Sequence, residues 1–565
     1  MSFNDIYTAT GQQWQQQVAA GDFDREFARI YGLDQVAVWR ANYLEALACF
    51  AARFGGEGEW VVARCPGQMN AMGMHIDYGG MPSLRLAVRG ADTLVVARKM
   101  QSRRVVRVSS LLRSPGEAED RFAPIEIDLD RILPAERVCE RQALMDYAGR
   151  VCQQRLERTG SALADDWSVL VEGQLAYVES YFRDRIPLGG FDGLVWSSVS
   201  PSGGMSSSSA LVVATALAAM GTHGLVPRRD MPEQDLVDGL GMSEWIRGTR
   251  GGTADHGGMV LGRAGKLVSV GVFPARAEGE AALPDDYAAV VLDSGIERQY
   301  DEAVKEETVI AYPLSAFIAG ELILPRWEYA DGDRADRIRY IRDLTSENLQ
   351  LPPAAIFELL AQMPQQTTLA RVQAQAEKAG VGDRYAAMYQ RDIAGKYQYL
   401  TADTPLYIRR RCAYALAEQD RVAGMIDYLN AGDMTTALEL IRISHRGDFD
   451  VEVGDGELRE LAAGARRGDE RARLRFLPGG YGRMTPAYDR LVQVVNAFLG
   501  ERGAVQRLGA GWGGNIGGLI HRDFIDGPQA GELADFLRGA LGGAFDMVVA
   551  TPGEGAALLA RPGAA

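Results

Sequence analysis

An α/β chain of more than one domain is what this sequence predicts, on three observations. At 565 residues it is too long for one ordinary hydrophobic core, so two or more domains or a large insertion are expected. Runs of β-type alternation, Thr93–Arg98, Arg104–Ser109, Lys266–Phe273 and Tyr287–Leu292, are interleaved with helical stretches around Ala143–Leu156 and Asp235–Arg247. Between them a strand-like run, Phe191–Val199, enters a Gly/Ser turn and then an Ala/Leu/Val-rich segment that reads as a buried helix, Pro201 to Met220.

Taken in order, residues 1 to about 60 read as amphipathic helix, with Trp39, Tyr43, Leu44, Leu47 and Phe50 at helical spacing. Trp60 to Arg64 reads as a strand entering C-P-G-Q-M-N-A-M-G-M-H-I-D-Y-G-G, Cys65 to Gly80. From about 326 to 400 the texture changes to charged helical stretches, a Pro352-Pro353 break and a Gln-rich run from Gln362 to Gln375, without a catalytic signature. Helices recur from 405, and Leu508 to Ile520 turns glycine-rich, L-G-A-G-W-G-G-N-I-G-G-L-I. The Gly/Ala/Pro tail after about 552 is expected to fray.

The net charge of −15, from 60 basic and 75 acidic residues, comes with no long basic run. That argues against a sequence-independent nucleic-acid binder, which needs cationic surface to neutralise phosphates. It leaves room for a small anionic ligand in a locally positive site. The five cysteines, at 49, 65, 139, 152 and 412, form no C-x-x-C pair, so neither a disulfide framework nor a zinc site is readable. The N-terminus has no signal-peptide core, and the longest apolar run, Ala210 to Met220, is too short to cross a bilayer. A cytoplasmic protein without a membrane partner is the expectation.

Four stretches carry chemistry. In Pro201–Met220 a strand, a tight Gly/Ser turn and a helix start follow one another, which makes an anion site. The first N–H groups of a helix lack partners, its dipole favours negative charge, glycine lets backbone approach a phosphate, and a serine hydroxyl can reach magnesium. An ordinary Ser-capped helix is the bland reading, but four consecutive serines exceed what a cap needs. The second stretch puts His75, Asp77 and Tyr78 in a glycine-bounded turn that can offer fixed donors and acceptors to a polyol, or simply form an Asx turn. The third is Glu244 on a helix, followed eleven positions later by Asp255 in G-G-T-A-D-H-G-G. Such a pair suits holding magnesium and accepting a hydroxyl proton, although each acid alone could be solvated. The fourth, Gly509-Ala510-Gly511-Trp512-Gly513-Gly514, is a second glycine-rich loop that close strand packing would explain equally well.

In order and in wording these stretches resemble the GHMP kinases, the superfamily of galactokinase, homoserine kinase, mevalonate kinase and phosphomevalonate kinase, and most of all its galactokinase branch. The family's sugar signature, P-G-R-V-N-L-I-G-E-H-T-D-Y-N-G-G, is similar to P-G-Q-M-N-A-M-G-M-H-I-D-Y-G-G here. Its phosphate motif P-L-G-x-G-L-S-S-S-A matches Pro201 to Ala210 at equal length, and its acidic helix with a C-G-I-M-D-Q turn resembles Glu244 followed by Gly252 to His256. Its third motif, M-T-G-G-G-F-G-G, resembles the stretch ending at Gly513-Gly514. Arg411, Glu418 and Arg421 stand at the spacing of its R-A-x-H-V-x-x-E-x-x-R helix, with Tyr414 in place of the His, and Gly432-Asp433 with Ser444-His445 resembles its G-D…S-H segment.

The resemblance implies a two-domain α/β (α+β) architecture. A helical extension (1–62) would precede an N-terminal mixed-sheet kinase domain (63–300), a linker with a mainly helical insertion (301–404) and a C-terminal α+β domain (405–565). It implies ATP with its phosphates over Gly203, Gly204, Ser206, Ser207, Ser208 and Ser209, and Mg2+ held by Ser209 and Glu244. Asp255 would be the general base, with His75, Asp77 and Tyr78 reading sugar hydroxyls and Gly509, Gly511, Gly513 and Gly514 forming the third motif. Two departures matter. Gln68 stands where the pattern has an Arg that would neutralise charge near the transferring phosphoryl group, so Arg64, Arg250 or another cation substitutes, or catalysis is weak or lost. Met74 stands where the pattern has a Glu that contacts the sugar's exocyclic primary hydroxyl, and a thioether prefers an apolar neighbour.

The implied activity is therefore ATP- and magnesium-dependent phosphorylation of a sugar, on its anomeric hydroxyl, the sugar being a pentose, a 6-deoxysugar or otherwise modified. The alternatives are a sugar- and ATP-binding sensor that works through a protein partner, and a kinase of a cyclitol or other small alcohol. Nothing in the sequence indicates an oligomeric state.

Overall fold

The computed structural model describes residues 6–101, 104–111, 120, 122–159, 166–199, 204–248, 251–299, 301–329, 334–394, 397 and 399–563. The chain divides into two compact units, one of Met1–Met69, Arg85–Glu280 and Ala550–Ala565, the other of Asn70–Leu84 and Ala281–Val549. Both mix helix and sheet.

The first unit is built on a nine-stranded sheet, counted among the described residues. Its order is Ala9–Thr10, Glu59–Met72, Ser83–Lys99, Phe191–Ser197, Val105–Ser110 and Ile125–Asp128, with Lys266–Gly271, Arg276–Ala282 and Ala557–Leu558 off that path. Ser83–Lys99 runs antiparallel to Phe191–Ser197, which runs parallel to Val105–Ser110, so the sheet is mixed. The run Thr93–Arg98 is apolar at both parities because both faces are covered. Val95 and Ala97 join Val61 and Ala63 in one core, under the helices Ser168–Phe182, Ser207–Thr222 and Glu233–Ser243. Leu94 and Val96 join Val62 in the other, against Trp14, Phe23, Phe27, Tyr31, Trp39, Tyr43 and Phe50 of the N-terminal helices.

The helices on that second face, Gly11–Ala20, Asp24–Tyr31 and Val36–Phe54, begin at a capping box: Thr10 Oγ1 accepts from Gln13 N, and Thr10 N donates to Gln13 Oε1. Beneath them the buried pair Arg64–Asp92 closes at 2.6 Å, and Tyr31 donates to the same carboxylate at 2.6 Å. Arg64 also donates to the carbonyl of Gly555 at 2.8 Å.

The described part of the tail, to Gly563, does not fray. Ala557 and Leu558 pair with Arg64 and Ala63, Leu559 N donates to Val62 O at 2.8 Å, and the Leu559 side chain is buried in the aromatic core. Apolar Ala-Ala-Leu-Leu inside the Gly/Pro-rich tail is the reason: backbone pairing and burial there outweigh the freedom of the glycines. Leu559→Ala is accordingly expected to cost about 2–5 kcal/mol, read as a shift of the urea midpoint at constant slope.

Among the described residues the second unit has a four-stranded antiparallel sheet in the order Gly503–Arg507, Asn515–His521, Tyr287–Asp293, Met547–Val549. Gly517 and Gly518 serve that sheet by close approach, for a Cβ would lie 2.4 Å from Val290 O and 2.0 Å from Ala504 O. Pro353 opens the helix Pro353–Gln362 in its first turn, where a missing N–H costs nothing. With Leu369–Lys378 and Gly382–Asp392 it packs into one core with the helix Ile408–Ala431 and with Ile76 and Met81. The continuous helical stretch Glu302–Arg326 is long and apolar enough to cross a membrane, a property that no unbroken apolar run in the sequence signals. Of its apolar 18-residue window 67% is buried, with Ile310, Tyr312, Leu314 and Phe317 inside the same core.

Candidate functional site

In the first unit the glycine/serine turn leads, as the sequence predicts, into a buried helix, Ser207–Thr222. Ser209 lies inside it and is 3% exposed. Gly204 (φ 65°) and Ser206 (φ 58°) both take the left-handed conformation, which for a serine is strained. The turn lies on the strand Glu59–Met72: Gln68 N donates to Met205 O at 3.1 Å, and a Cβ on Gly67 would meet Met205 Cβ at 3.1 Å. Gly203 falls outside the described residues.

Asp255 sits in the short helix Ala254–Val260, brought close by glycines. A Cβ on Gly257 would overlap Val270 at 2.2 Å, and one on Gly258 would press on Arg85 and Gln68 at 3.2–3.3 Å. The result is a carboxylate held on both oxygens. Gln68 Nε2 donates to Asp255 Oδ1 at 3.1 Å and to Ser206 Oγ at 3.1 Å, and Ser206 Oγ donates to Asp255 Oδ2. Arg85, whose side chain is 4% exposed, forms an ion pair with Asp255 Oδ1 and donates to Gln68 Oε1 at 2.9 Å. The Asp255 side chain remains 35% exposed, so a reactant can reach it. Arg85 was not singled out in the sequence. Of the cations that were, Arg64 is committed to Asp92, and Arg250 lies outside the described residues.

Glu244 is not within the helix proper but opens the short helical turn Glu244–Arg247 at the end of Glu233–Ser243. Its Oε1 is buried without a hydrogen-bond partner among the described residues, 3.5 Å from Nε2 of the buried His256. A buried acceptor with spare lone pairs fits a divalent cation, as does the Ser209 hydroxyl, by donor type.

In the second unit His75, Asp77 and Tyr78 occupy one turn. His75 has φ 61° and stacks on Tyr481 with ring centroids 4.4 Å apart, and Asp77 opens the turn Asp77–Gly79. Among the described residues the His75 Nε2 is buried without a partner, and burial with Arg507 and Arg483 nearby holds the imidazole well below its ordinary range, so it is neutral at pH 7. Met74 is 2% exposed.

The backbone of this turn is clamped by residues far along the chain. Glu418 Oε1 accepts from the N–H groups of Gly73 and Met74 at 3.2 Å each and from Ser444 Oγ at 2.7 Å. Tyr414 donates to Met74 O and Tyr312 to His75 O, both at 3.0 Å. The segment that showed no catalytic signature also takes part: Arg342 donates to Gly80 O at 2.6 Å, and Gly79 leaves no room for a Cβ beside Ile341 (2.8 Å).

Gly509, Gly511, Gly513 and Gly514 of the third motif all have positive φ, from 77° to 139°. A Cβ on Gly511 would strike Arg483 Cβ at 2.9 Å, and one on Gly513 would strike Ile296 O at 2.7 Å. Here glycine is required by conformation and by contact together.

Comparison with known proteins finds family matches over two stretches of the first half of the chain. The galactokinase galactose-binding signature matches residues 48–99, and the GHMP kinases N-terminal domain matches residues 170–263. A galactokinase of Candida maltosa is 26% identical over 232 residues, 40% of this chain and 91% of that protein. An L-arabinokinase of Arabidopsis thaliana is 23% identical over 310 residues, 50% of this chain but 28% of that protein. The crystal structure of Lactococcus lactis galactokinase complexed with galactose shares the fold, with a TM-score of 0.58 at 18% identity over 91% of this chain and 100% of that one.

Proposed function

The chain belongs to the GHMP kinases and is galactokinase-like, and from that premise we propose that it transfers the γ-phosphoryl group of ATP to the anomeric hydroxyl of a sugar whose exocyclic primary hydroxyl is absent or masked. Pentoses, 6-deoxysugars and otherwise modified sugars are the substrate class. The observation that carries this reading is the Asp255 carboxylate, fixed on both oxygens yet partly exposed, at the start of the glycine/serine-turn helix.

Asp255 accepts the acceptor hydroxyl's proton as its oxygen forms the new bond to the γ-phosphorus. The bond from that phosphorus to the bridging oxygen breaks, and ADP leaves with its electrons. Gly203, Gly204 and Ser206–Ser209 cradle the phosphates with backbone N–H groups and hydroxyls. Ser209 and Glu244 are the residues that would hold Mg2+, which when bound neutralises charge on the phosphate oxygens. His75, Asp77 and Tyr78 bind the sugar, and the buried Met74 offers it no strong acceptor. The sensor alternative draws on the uncharged Gln68; the ion pair between Arg85 and Asp255 supports the kinase reading instead.

The test is incubation of the purified chain with ATP, Mg2+ and a panel of hexoses, pentoses, deoxysugars and cyclitols, with products read by mass. A sugar gaining one phosphate, with galactose a poor substrate, is the expected result. Galactose as the best substrate would remove the Met74 argument, a phosphorylated cyclitol would move the acceptor class, and ATP binding without product would favour the sensor.

A further inference from the structure

We propose that Arg85 has taken over the positive charge at the catalytic carboxylate that the galactokinase pattern places at the position of Gln68. The inference rests on the kinase reading and adds to it a residue from a different strand. In the pattern, the arginine and the aspartate come from the sugar-signature strand and the acidic turn. Here the signature strand Glu59–Met72 contributes an amide, and the guanidinium comes from the neighbouring strand Ser83–Lys99.

Three observations carry the assignment. Arg85 reaches Asp255 Oδ1 directly, the same oxygen that Gln68 Nε2 touches at 3.1 Å. Gln68 is a neutral amide, and its Oε1 accepts from Arg85 at 2.9 Å, which turns its Nε2 toward Asp255 and Ser206. The amide therefore bridges the guanidinium to the carboxylate and serine, and its orientation follows from the hydrogen-bond pattern. Finally, the packing leaves Arg85 little choice of place: its side chain is 4% exposed, with its Cβ and Cδ against Gly258, three residues beyond Asp255.

A buried guanidinium on one oxygen, with a serine on the other, fixes the plane of the carboxylate and supplies one positive charge where negative charge gathers during phosphoryl transfer. Charge-assisted contacts of this kind are strong and directional. Arg85 touches Asp255, so it is a positioning residue, acting on the acceptor hydroxyl through that carboxylate.

The experiment compares the full-length chain with Arg85→Gln, Arg85→Lys and the transposed double variant Gln68→Arg/Arg85→Gln, measuring kcat, sugar KM and ATP Kd for each. Arg85→Gln is expected to lower kcat about 10²-fold, with sugar KM and ATP Kd little changed. Arg85→Lys should recover part of that loss, because it restores charge without the planar fork. The transposed variant should recover at least about tenfold over Arg85→Gln, since the guanidinium then comes from the family's own position.

Wild-type-like kcat in Arg85→Gln overturns the assignment while leaving the kinase reading intact. So does a transposed variant no faster than Arg85→Gln although it melts cooperatively and binds ATP. A wild-type chain that phosphorylates none of the panel removes the kinase reading itself, and the assignment with it.

Discussion

Asp255→Asn is expected to lower kcat by about 10²–10⁴-fold, the usual contribution of a positioned general base, while ATP affinity stays close to that of the wild type. The substitution is nearly isosteric. An Asn carbonyl oxygen can still accept from Gln68 Nε2 or Arg85, and its amide can face Ser206 Oγ, so the geometry around position 255 has a way to persist. What is lost is the ability to take a proton. The measurement is a paired one: initial rates with the sugar identified by mass, and ATP binding by titration calorimetry. Full turnover in the variant would remove Asp255 as the base. Loss of ATP binding together with turnover would indicate that the glycine/serine turn had moved, because Ser206 is shared between the two.

Glu418→Gln is the second large effect, and it falls mainly on stability. Glu418 and Arg421 are both 0% exposed, and Glu418 also holds the N–H groups of Gly73 and Met74. Gln keeps the shape and some of the hydrogen bonds but leaves the guanidinium buried beside a neutral group. Breaking a buried pair from one side costs about 3–5 kcal/mol, because the remaining charge is uncompensated. Urea unfolding should show the loss as a lower midpoint. The sugar KM should rise as well, since the turn bearing His75 and Asp77 loses its clamp. Glu418→Gln/Arg421→Met, which removes the orphaned charge, should regain part of the stability but not the KM. A Glu418→Gln variant with unaltered midpoint would show that the pair is not what holds this turn.

The parts of the site that are legible in the sequence share a property: their chemistry is written locally. A serine run behind glycines signals the turn into a buried helix, and Asp255 between pairs of glycines signals a tight approach, because glycine there has few other uses. Arg85 is different. In S-L-R-L-A-V a cation at alternate spacing reads as the solvent side of a strand, and only the unbroken burial from Ser83 to Val88 turns it into a buried charge that must have a partner. The signal was present in the doubly apolar run Thr93–Arg98 of the same strand, which leaves no solvent face. Glu418, Tyr312, Tyr414 and Tyr481 were harder to connect with the sugar turn, since their partners lie hundreds of residues away. Composition points to a loose tail because it averages over Leu558 and Leu559, whereas burial acts on each side chain singly.

The pairing of Arg64 with the carbonyl of Gly555 bears on how this chain is made. The two residues are 491 positions apart, so at the usual pace of translation the ribosome takes roughly 25–100 s to deliver the second after the first. During that interval the edge of the Glu59–Met72 strand that will receive Ala557 and Leu558 stands unpaired, and the aromatic layer lacks Leu559. An open strand edge beside an incomplete apolar face is a site for chaperone capture and for aggregation. A nascent chain arrested before Gly555 should therefore bind holdase chaperones through its N-terminal third, and release them only once the last strand has been added.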